Sequence, residues 1–143
     1  MDQTRFLDGK VVWQSLPVVR PPLGADAPNL KRLMLPQGEL AQIYDAEEGI
    51  RYMAVIELRR YNTRGNHYHK VKVEWVYVTA GEVLLVVEDI ESRKRETVPL
   101  RAGDLALIQT GIAHALRVVA TGEAIEFSAA RFDPADIFRY PLE

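Results

Sequence analysis

The chain has 143 residues, of which 48% are hydrophobic and 27% charged, and this balance is typical of a single globular domain. It excludes a disordered tail and a fibrous repeat. The 18 basic and 20 acidic residues leave a net charge of −2, so no general positive field is available to hold nucleic acid. The absence of cysteine excludes a disulfide scaffold and a thiolate metal site.

Nothing in the sequence indicates export or membrane insertion. The first ten residues, MDQTRFLDGK, lack the apolar segment and small-residue cleavage site of a secretory signal. No stretch reaches the roughly 18 consecutive apolar residues that a membrane-spanning helix needs. We therefore expect a cytoplasmic protein with neither a membrane nor a nucleic-acid partner.

The N-terminal part of the chain is broken by prolines. Five of them fall within the first forty residues: Pro17, Pro21, Pro22, Pro28 and Pro36. Proline removes a backbone donor and restricts the residue before it, so long elements are disfavoured here. We predict an N-terminal arm over residues 1–45, with one or two short strands near 10–14 and 40–44. This arm is expected to pack on the remaining domain or on a partner subunit.

Residues 46–143 show a different pattern, in which short runs rich in β-branched and aromatic residues alternate with turn signals. Such runs include RYMAVIELRR, EVLLVVEDI and AIEFSA, and the turn signals include 62–66, Ala80-Gly81 and Thr121-Gly122. Short strands at this spacing predict an all-β sandwich or barrel. Only the tail near 134–138 is typical of a short helical turn, because Asp133 can cap it and Pro134 suits its first position.

The run at 51–60 predicts an inward-facing side, because successive strand residues point to opposite faces. The inward set is Tyr52, Ala54, Ile56, Leu58 and Arg60. Met53 and Val55 interrupt the otherwise polar outer side. This indicates that the outer side is covered by the arm or by a second subunit, and we expect a homodimer.

The three histidines of the chain are the main candidates for chemistry. His67 and His69 are one residue apart, so on a strand their imidazoles project from the same face. Glu74 has the opposite parity, which requires a turn or bulge between residues 70 and 73. His114 follows the turn signal Thr110-Gly111 and shares the apolar parity of its strand. A lone histidine is usually structural, but two adjacent imidazoles repel once either is protonated, and the pair favours a metal ion.

These residues resemble the two sequence motifs of the cupin superfamily. The first motif is matched by His67, His69, Glu74 and Gly81, and the second by Gly103, Gly111 and His114, all at the expected spacings. The match covers about residues 65–118. It departs from the family at three turn or packing positions, where Tyr61, Gln109 and Val118 replace a glycine, a proline and an asparagine. The four ligand positions are intact.

The resemblance implies a double-stranded β-helix, that is, a jelly-roll cupin barrel, preceded by the N-terminal arm and followed by the short C-terminal helical turn. It also implies a divalent transition metal bound by His67, His69, Glu74 and His114. Three neutral imidazoles and one carboxylate suit Fe, Mn, Ni, Co or Zn. Two coordination positions of a six-coordinate ion would remain for water or substrate.

The reaction class is less clear from the sequence, because cupins perform many reactions on one barrel. The segment RGNHYHK and the tail FRYPL are similar to cupins that modify nucleotide sugars and capsular polysaccharide precursors. We therefore expect a metal-dependent isomerase or epimerase that acts on a sugar, sugar acid or sugar nucleotide. An Fe(II) dioxygenase of a small organic acid, diketone or aromatic compound is the first alternative, and a non-enzymatic small-ligand-binding protein is the second.

Two further residues are candidates for substrate contact. Arg60 is placed inside the barrel by strand parity, where a guanidinium could clamp a carboxylate or phosphate with two hydrogen bonds, and Arg64 lies near it. Tyr52, also on the inward side, is a candidate acid or base. Both residues have alternative readings, as a surface arginine and a structural tyrosine.

Overall fold

The computed structural model describes residues 3–142 and is almost entirely made of β-strands. Residues 1 and 2 of the predicted arm and residue 143 of the predicted barrel region lie outside the described residues. A single 3-10 helix covers Pro134–Asp136 among the described residues. The strands are β1 (Gln3–Phe6), β2 (Val11–Ser15), β3 (Val18–Val19), β4 (Lys31–Leu35), β5 (Gly38–Gln42), β6 (Tyr52–Leu58), β7 (Thr63–Tyr68), β8 (Glu74–Asp89), β9 (Arg95–Arg101), β10 (Asp104–Ile108), β11 (Ile112–Ser128) and β12 (Phe138–Arg139).

Two long strands, β8 and β11, build the barrel because each takes part in both of its sheets. The first half of β8 pairs with β10 and with the second half of β11. The second half of β8 pairs with β9 and with the first half of β11. One sheet therefore runs β1-β2-β10-β8-β11-β6, and the other runs β9-β8-β11-β7-β12. This arrangement is the jelly roll expected from the sequence.

The long strands pass from one sheet to the other at two glycines. A Cβ on Gly122 would stand 1.9 Å from the carbonyl oxygen of Ala80, and one on Gly81 would stand 2.5 Å from that of Ala120. Only glycine permits this approach of two backbones. The prediction of turns at Ala80-Gly81 and Thr121-Gly122 is therefore wrong. The pairing register shifts there instead, and the strands continue beyond each glycine.

The N-terminal arm contains more strands than predicted. The segments expected near 10–14 and 40–44 are found as β2 and β5, but β1, β3 and β4 were missed. The prolines lie between these short strands rather than inside them, so they limit strand length without preventing pairing. The hairpin β1–β2 extends a barrel sheet through β10, whereas β3, β4 and β5 form a separate sheet. The boundary at residue 45 remains a proposal.

The core lies between the two barrel sheets and confirms most of the inward face predicted for 51–60. Ile56 and Leu58 are buried, with 6% and 0% exposure, whereas Met53 and Val55 are 61% and 65% exposed. The prediction that Arg60 points inward is wrong. Strand β6 ends at Leu58, so the alternation of strand side chains does not extend to Arg60, which is exposed.

The C-terminal helical turn forms as predicted. Asp133 accepts a hydrogen bond from the backbone N–H of Ala135 at 2.9 Å, and Pro134 occupies the first position of the 3-10 helix. After this turn the chain pairs with β7 through β12. In the described part of the chain, no helix has the length and apolarity needed to cross a membrane.

Candidate functional site

The fold brings the three histidines together on the inner side of the second sheet. His67 lies on β7 opposite His114 on β11, and His69 follows the end of β7. The ring centroids are separated by 4.9 to 5.5 Å. One ligand atom from each ring lies within 4.8 Å of the other two. This is close to the roughly 4.2 Å that can separate two nitrogens bound to one ion at about 2.1 Å each.

Hydrogen bonds orient two of the imidazoles towards this common point. The Nδ1 of His69 lies 2.7 Å from the carbonyl oxygen of Asp136, and the Nδ1 of His114 lies 3.1 Å from that of Ile112. A carbonyl oxygen can only accept, so each neutral ring carries its proton on Nδ1. Both Nε2 atoms are buried; that of His69 has no hydrogen-bond partner, and that of His114 faces a carboxylate oxygen of Glu74 at 3.1 Å. An oriented, buried nitrogen without a partner, beside a second imidazole nitrogen and a carboxylate, is a donor set that a metal ion can use, so these residues fit a divalent metal centre.

Glu74, the fourth predicted ligand, lies beside this cluster, and the predicted turn before it is present. The chain leaves β7 at Tyr68 and enters β8 at Glu74, which is 3% exposed. One carboxylate oxygen lies 3.1 Å from His114 Nε2, and the other lies 3.1 Å from Lys72 Nζ. Burial favours a raised pKa for Glu74, but His114 and Lys72 outweigh it, so the pKa is lowered and the carboxylate is charged.

Asp136 holds the turn between β7 and β8, although its sequence position gave no indication of this role. Its carboxylate accepts hydrogen bonds from the backbone N–H groups of Lys70, Val71 and Lys72, at distances from 2.8 to 3.2 Å. Its carbonyl oxygen also accepts the hydrogen bond from His69 Nδ1. The C-terminal 3-10 helix therefore fixes both the ring of one histidine and the segment that leads to Glu74.

A half-buried glutamate and a tyrosine add acid–base groups to the site. The Tyr52 hydroxyl donates to Glu126 Oε1 at 3.0 Å. Burial, followed by the charge of Glu126, raises the pKa of Tyr52 to about 12, so the phenol keeps its proton at neutral pH. Burial and the nearby Glu74 charge raise the pKa of Glu126. Glu126 was missed from the sequence, although it shares the strand face of the buried Ala124.

The histidines differ in charge preference. Burial, reinforced by the neighbouring His114 and His69, lowers the pKa of His67 to about 4. Burial also lowers the pKa of His69. For His114, burial acts in the same direction, but the Glu74 carboxylate outweighs it and the pKa is raised. His67 and His69 are therefore neutral at physiological pH, which is the form that binds metals.

Two spaces that share lining residues adjoin the cluster. A cavity of about 260 Å³ opens between the sheets and includes His67, Glu74, Glu126 and Arg64 in its lining. A smaller space of about 90 Å³ shares His67, Glu74 and Glu126 and adds Tyr52 and Lys72. Together they give a small ligand polar contacts on one side of the cluster and apolar side chains deeper in the barrel.

Arginine contact with the cavity is made by Arg64 and not by Arg60. Arg64 is on β7, directly before the histidine pair, and lines the larger cavity. Arg60 instead lies over the ring of Tyr61, at 4.8 Å from its centroid, in a surface groove that includes Arg117. The anion-binding role predicted for Arg60 therefore loses its structural basis.

Fold and site together define a small jelly-roll barrel with a cluster of inward-facing histidines. The family profile described as "Cupin domain" matches residues 57–129, about half of the chain. The chain belongs to the cupin family, which confirms the resemblance inferred from the two histidine motifs. No curated protein matches the chain.

Solved structures with the same fold include enzymes that act on nucleotide sugars. A dTDP-6-deoxy-D-glucose-3,5-epimerase from Legionella pneumophila aligns with a TM-score of 0.74 and 16% identity, over 96% of this chain and 76% of the epimerase. A 3,4-ketoisomerase from Helicobacter canadensis aligns with a TM-score of 0.69 and 16% identity, over 78% and 86% of the two chains. A TDP-quinovose 3,4-ketoisomerase from Campylobacter jejuni gives a TM-score of 0.68 and 17% identity, over 78% and 88%. At these identities the likeness establishes the fold.

Proposed function

We propose that this cupin is an isomerase- or epimerase-type enzyme that transfers a proton on a sugar, sugar acid or sugar nucleotide, beside a divalent metal ion. One observation carries the proposal: His67 and His69, the latter with a buried Nε2 that has no hydrogen-bond partner, line the same cavity as a protonated tyrosine, a glutamate with a raised pKa and a lysine. Fold similarity to sugar epimerases and ketoisomerases supports the substrate class.

The proposed metal ion is held by His67, His69 and His114, with Glu74 beside them. Neutral nitrogen ligands suit Fe, Mn, Ni, Co or Zn. When bound, such an ion supplies a Lewis acid that polarises a carbonyl or hydroxyl oxygen. The protein's own side chains would bind the substrate and transfer its proton.

Glu126 and Tyr52 form the proposed proton-transfer pair. Because the pKa of Glu126 is raised above that of an ordinary carboxyl group, Glu126 is a stronger base than an ordinary carboxylate, which suits abstraction of a proton next to a carbonyl group. Tyr52 donates to the same carboxylate and retains its own proton, so it can protonate an oxygen of the substrate. Lys72 contributes a positive charge to the same space, where it would favour an enolate-like oxygen.

Arg64 is the proposed contact for an anionic group of the ligand. It replaces Arg60 in this role because it lines the cavity next to His67. An arginine can bind a sugar carboxylate or a phosphate through two parallel hydrogen bonds. Replacing Arg64 with Met should raise the KM for an anionic sugar more than it lowers kcat.

The experiment that tests the function is hydrogen exchange between solvent and substrate. Keto sugars, sugar acids and dTDP-linked keto sugars are incubated with the metal-loaded protein in D₂O, and deuterium in the sugar is measured by NMR. Wild type should introduce deuterium next to a carbonyl, and Glu126→Gln should lose at least about 100-fold in rate, as expected for loss of a general acid–base residue. Glu96→Gln, on the exposed edge strand β9, is the matched control.

Two results would contradict this function. Absence of exchange in all three compound classes would remove the isomerase proposal and leave a ligand-binding protein. Stoichiometric oxygen consumption with an organic acid, diketone or aromatic compound would instead establish the dioxygenase alternative.

The homodimer predicted from the sequence remains a proposal. It is supported by Met53 and Val55, which are large, exposed side chains on the outer face of β6. Sedimentation equilibrium of wild type and Val55→Glu tests it, because a dimer through this face should dissociate in the variant. A wild-type monomer would contradict it.

A further inference from the structure

One residue of the C-terminal segment, Asp136, makes two different contacts with the candidate metal site. Its backbone carbonyl oxygen lies 2.7 Å from His69 Nδ1, on the ring whose other nitrogen, Nε2, is buried without a hydrogen-bond partner. Its carboxylate accepts hydrogen bonds from the three backbone N–H groups of residues 70–72, in the turn that leads to Glu74. Displacement of Asp136 would therefore free the ring of one predicted ligand and loosen the turn that leads to another.

The elements that carry Asp136 are too short to hold themselves in place. The 3-10 helix Pro134–Asp136 has three residues, and β12, at the margin of its sheet, has two. Beyond β12 the backbone N–H of Tyr140 donates to the carbonyl oxygen of Asn66 at 2.8 Å. Short segments at a sheet margin open locally at a much lower free energy than central strands do. Docking of the C-terminal segment, residues 131–142, therefore depends on individual contacts such as those of Asp136.

The C-terminal segment also forms part of the wall of the smaller space beside the histidine cluster. Its residues Arg131, Phe132 and Ile137 are among those that line this space. The ring of Phe132 stacks on that of Tyr52, the proposed proton donor, with the ring centroids 5.9 Å apart. Movement of the segment would therefore alter the surroundings of the proton-transfer pair as well as those of the metal centre.

A metal ion bound to His69 Nε2 would strengthen the contact between this ring and Asp136. Coordination withdraws electron density from the imidazole, which makes its Nδ1–H a stronger donor, and the accepting carbonyl in turn makes the ring a better ligand. The effect is reciprocal, because a docked segment that raises the affinity for the ion is itself held more firmly by the ion, by the same factor.

We propose that Asp136 is a positioning residue through which docking of the C-terminal segment and binding of the metal ion reinforce each other. The proposal rests on the metal centre of the proposed function and adds a regulatory property to it. In the metal-free protein the segment opens more readily, and the wall beside Tyr52 opens with it. Binding of the ion secures that wall before the substrate enters.

Calorimetric titration of the full-length, metal-free protein with Zn(II) tests one direction of the coupling. Asp136→Ala should bind Zn(II) about 10- to 100-fold more weakly than wild type, the usual loss when the hydrogen-bond partner of a ligating histidine is removed. Asp136→Asn keeps an acceptor oxygen for the turn but not the charge, so its affinity should fall between the two. The matched control is Asp133→Ala, which removes the cap of the same helix and should bind Zn(II) nearly as tightly as wild type.

Backbone hydrogen exchange measured by NMR tests the other direction. In wild type, saturating Zn(II) should slow exchange of the Tyr140 amide by a similar factor of about 10 to 100, although this amide lies beyond Asp136 in the chain. In Asp136→Ala the same addition should have little effect on Tyr140. The Nδ1–H of His69 should be protected from exchange in wild type and unprotected in the variant, which reports the contact itself rather than overall stability.

Three results would contradict the proposal, each at a different step. Equal Zn(II) affinity in wild type and Asp136→Ala would overturn the positioning role and leave the metal centre standing. Equal losses in Asp136→Ala and Asp133→Ala would assign the effect to general loosening of the helix and not to Asp136. Absence of Zn(II) binding in wild type would overturn the metal centre itself, and the coupling with it. If Asp136→Ala does not fold, Asp136→Asn and the exchange of Tyr140 in wild type still decide.

Discussion

Two concave regions of the molecule differ in size and in chemistry. The larger, of about 440 Å³, lies between the hairpin β1–β2 and the edge strand β9, and its walls are mostly apolar side chains such as Phe6, Trp13 and Leu100. The smaller, of about 260 Å³, contains the histidines, Glu74 and Glu126. Of these two regions, volume alone would favour the first. The second region is the better candidate for a catalytic site, because it contains converging polar groups with shifted pKa values.

The difference follows from how each region is built. The histidine cavity is lined by central strands, among them β8 and β11, which pair with neighbours on both sides and hold side chains in a fixed register. The larger region, called the groove below, is bounded by strands at the sheet margins. Its two polar atoms without a hydrogen-bond partner, Trp13 Nε1 and Asp104 Oδ1, are shielded from solvent. We therefore expect substitutions in the cavity to change binding, and substitutions in the groove to change stability.

The largest effect is expected from His69→Ala, which removes one of the three proposed histidine ligands. The variant should lose more affinity for Co(II) or Zn(II) than the roughly 10- to 100-fold that follows loss of a ligand's hydrogen-bond partner. Elemental analysis of tag-free protein purified anaerobically should find about one metal ion in wild type and little in the variant. Equal metal content in wild type and His69→Ala would contradict the assignment of metal binding to the histidine cavity.

Asp136→Ala should produce the next largest effect, because it removes the acceptor of three backbone N–H groups. We expect a loss of about 2–3 kcal/mol in the free energy of unfolding, as for hydrogen bonds to a charged group. Urea denaturation measures it. Asp133→Ala is the matched control, since it removes one exposed cap and should cost about 1 kcal/mol. Equal losses in the two variants would contradict the structural role of Asp136.

Trp13→Ala tests the other half of the comparison. Trp13 packs against the core from the groove side, and its truncation should cost about 2 kcal/mol of stability, below the roughly 3–5 kcal/mol of a fully buried aromatic residue. Metal affinity should stay within about twofold of wild type, since additivity holds for sites without shared contacts. A tenfold change in metal affinity would show that the groove and the cavity are coupled.

The smallest effect is a pH dependence confined to the cavity. In metal-free protein the pKa of His67 is about 4, below the value of 6.5 for an unperturbed histidine. The unfolded chain therefore binds a proton first, and wild type should lose stability relative to His67→Asn as pH falls from about 6.5 to about 4. Urea titrations at several pH values after chelation measure this difference. Parallel stability curves for the two proteins would contradict the lowered pKa.

Several features were predictable because they depend on neighbouring residues. The alternation of side chains in 51–60 identified Ile56 and Leu58 as core, and Asp133-Pro134 identified the helical turn. The spacing of His67 and His69 placed both rings on one side of the chain. The prediction for Arg60 failed for the same reason that the others succeeded, since alternation holds only while the strand continues, and β6 ends at Leu58.

Other parts of the site depend on contacts between residues far apart in the chain. Asp136 reaches the turn at Lys70 across 66 positions, and Glu126 meets Tyr52 across 74. Gly81 and Gly122, at the crossing of β8 and β11, were predicted from the sequence to lie in turns. In the structure they instead allow the two backbones to approach closely. A local sequence pattern does not indicate which distant segment of the chain will lie beside a given residue in the fold.

The sequence by itself determined the cupin barrel, the three histidines as the centre of the site and the capped turn near the C-terminus. These follow from residue spacing, because strand geometry converts spacing directly into the face on which a side chain lies. Only the tertiary structure decided that Arg64 and not Arg60 meets the cavity, that Asp136 holds the turn, and that Glu74 is paired with Lys72. Such partnerships are decided by burial, because only a low-dielectric interior makes each charged group depend on the particular partner beside it.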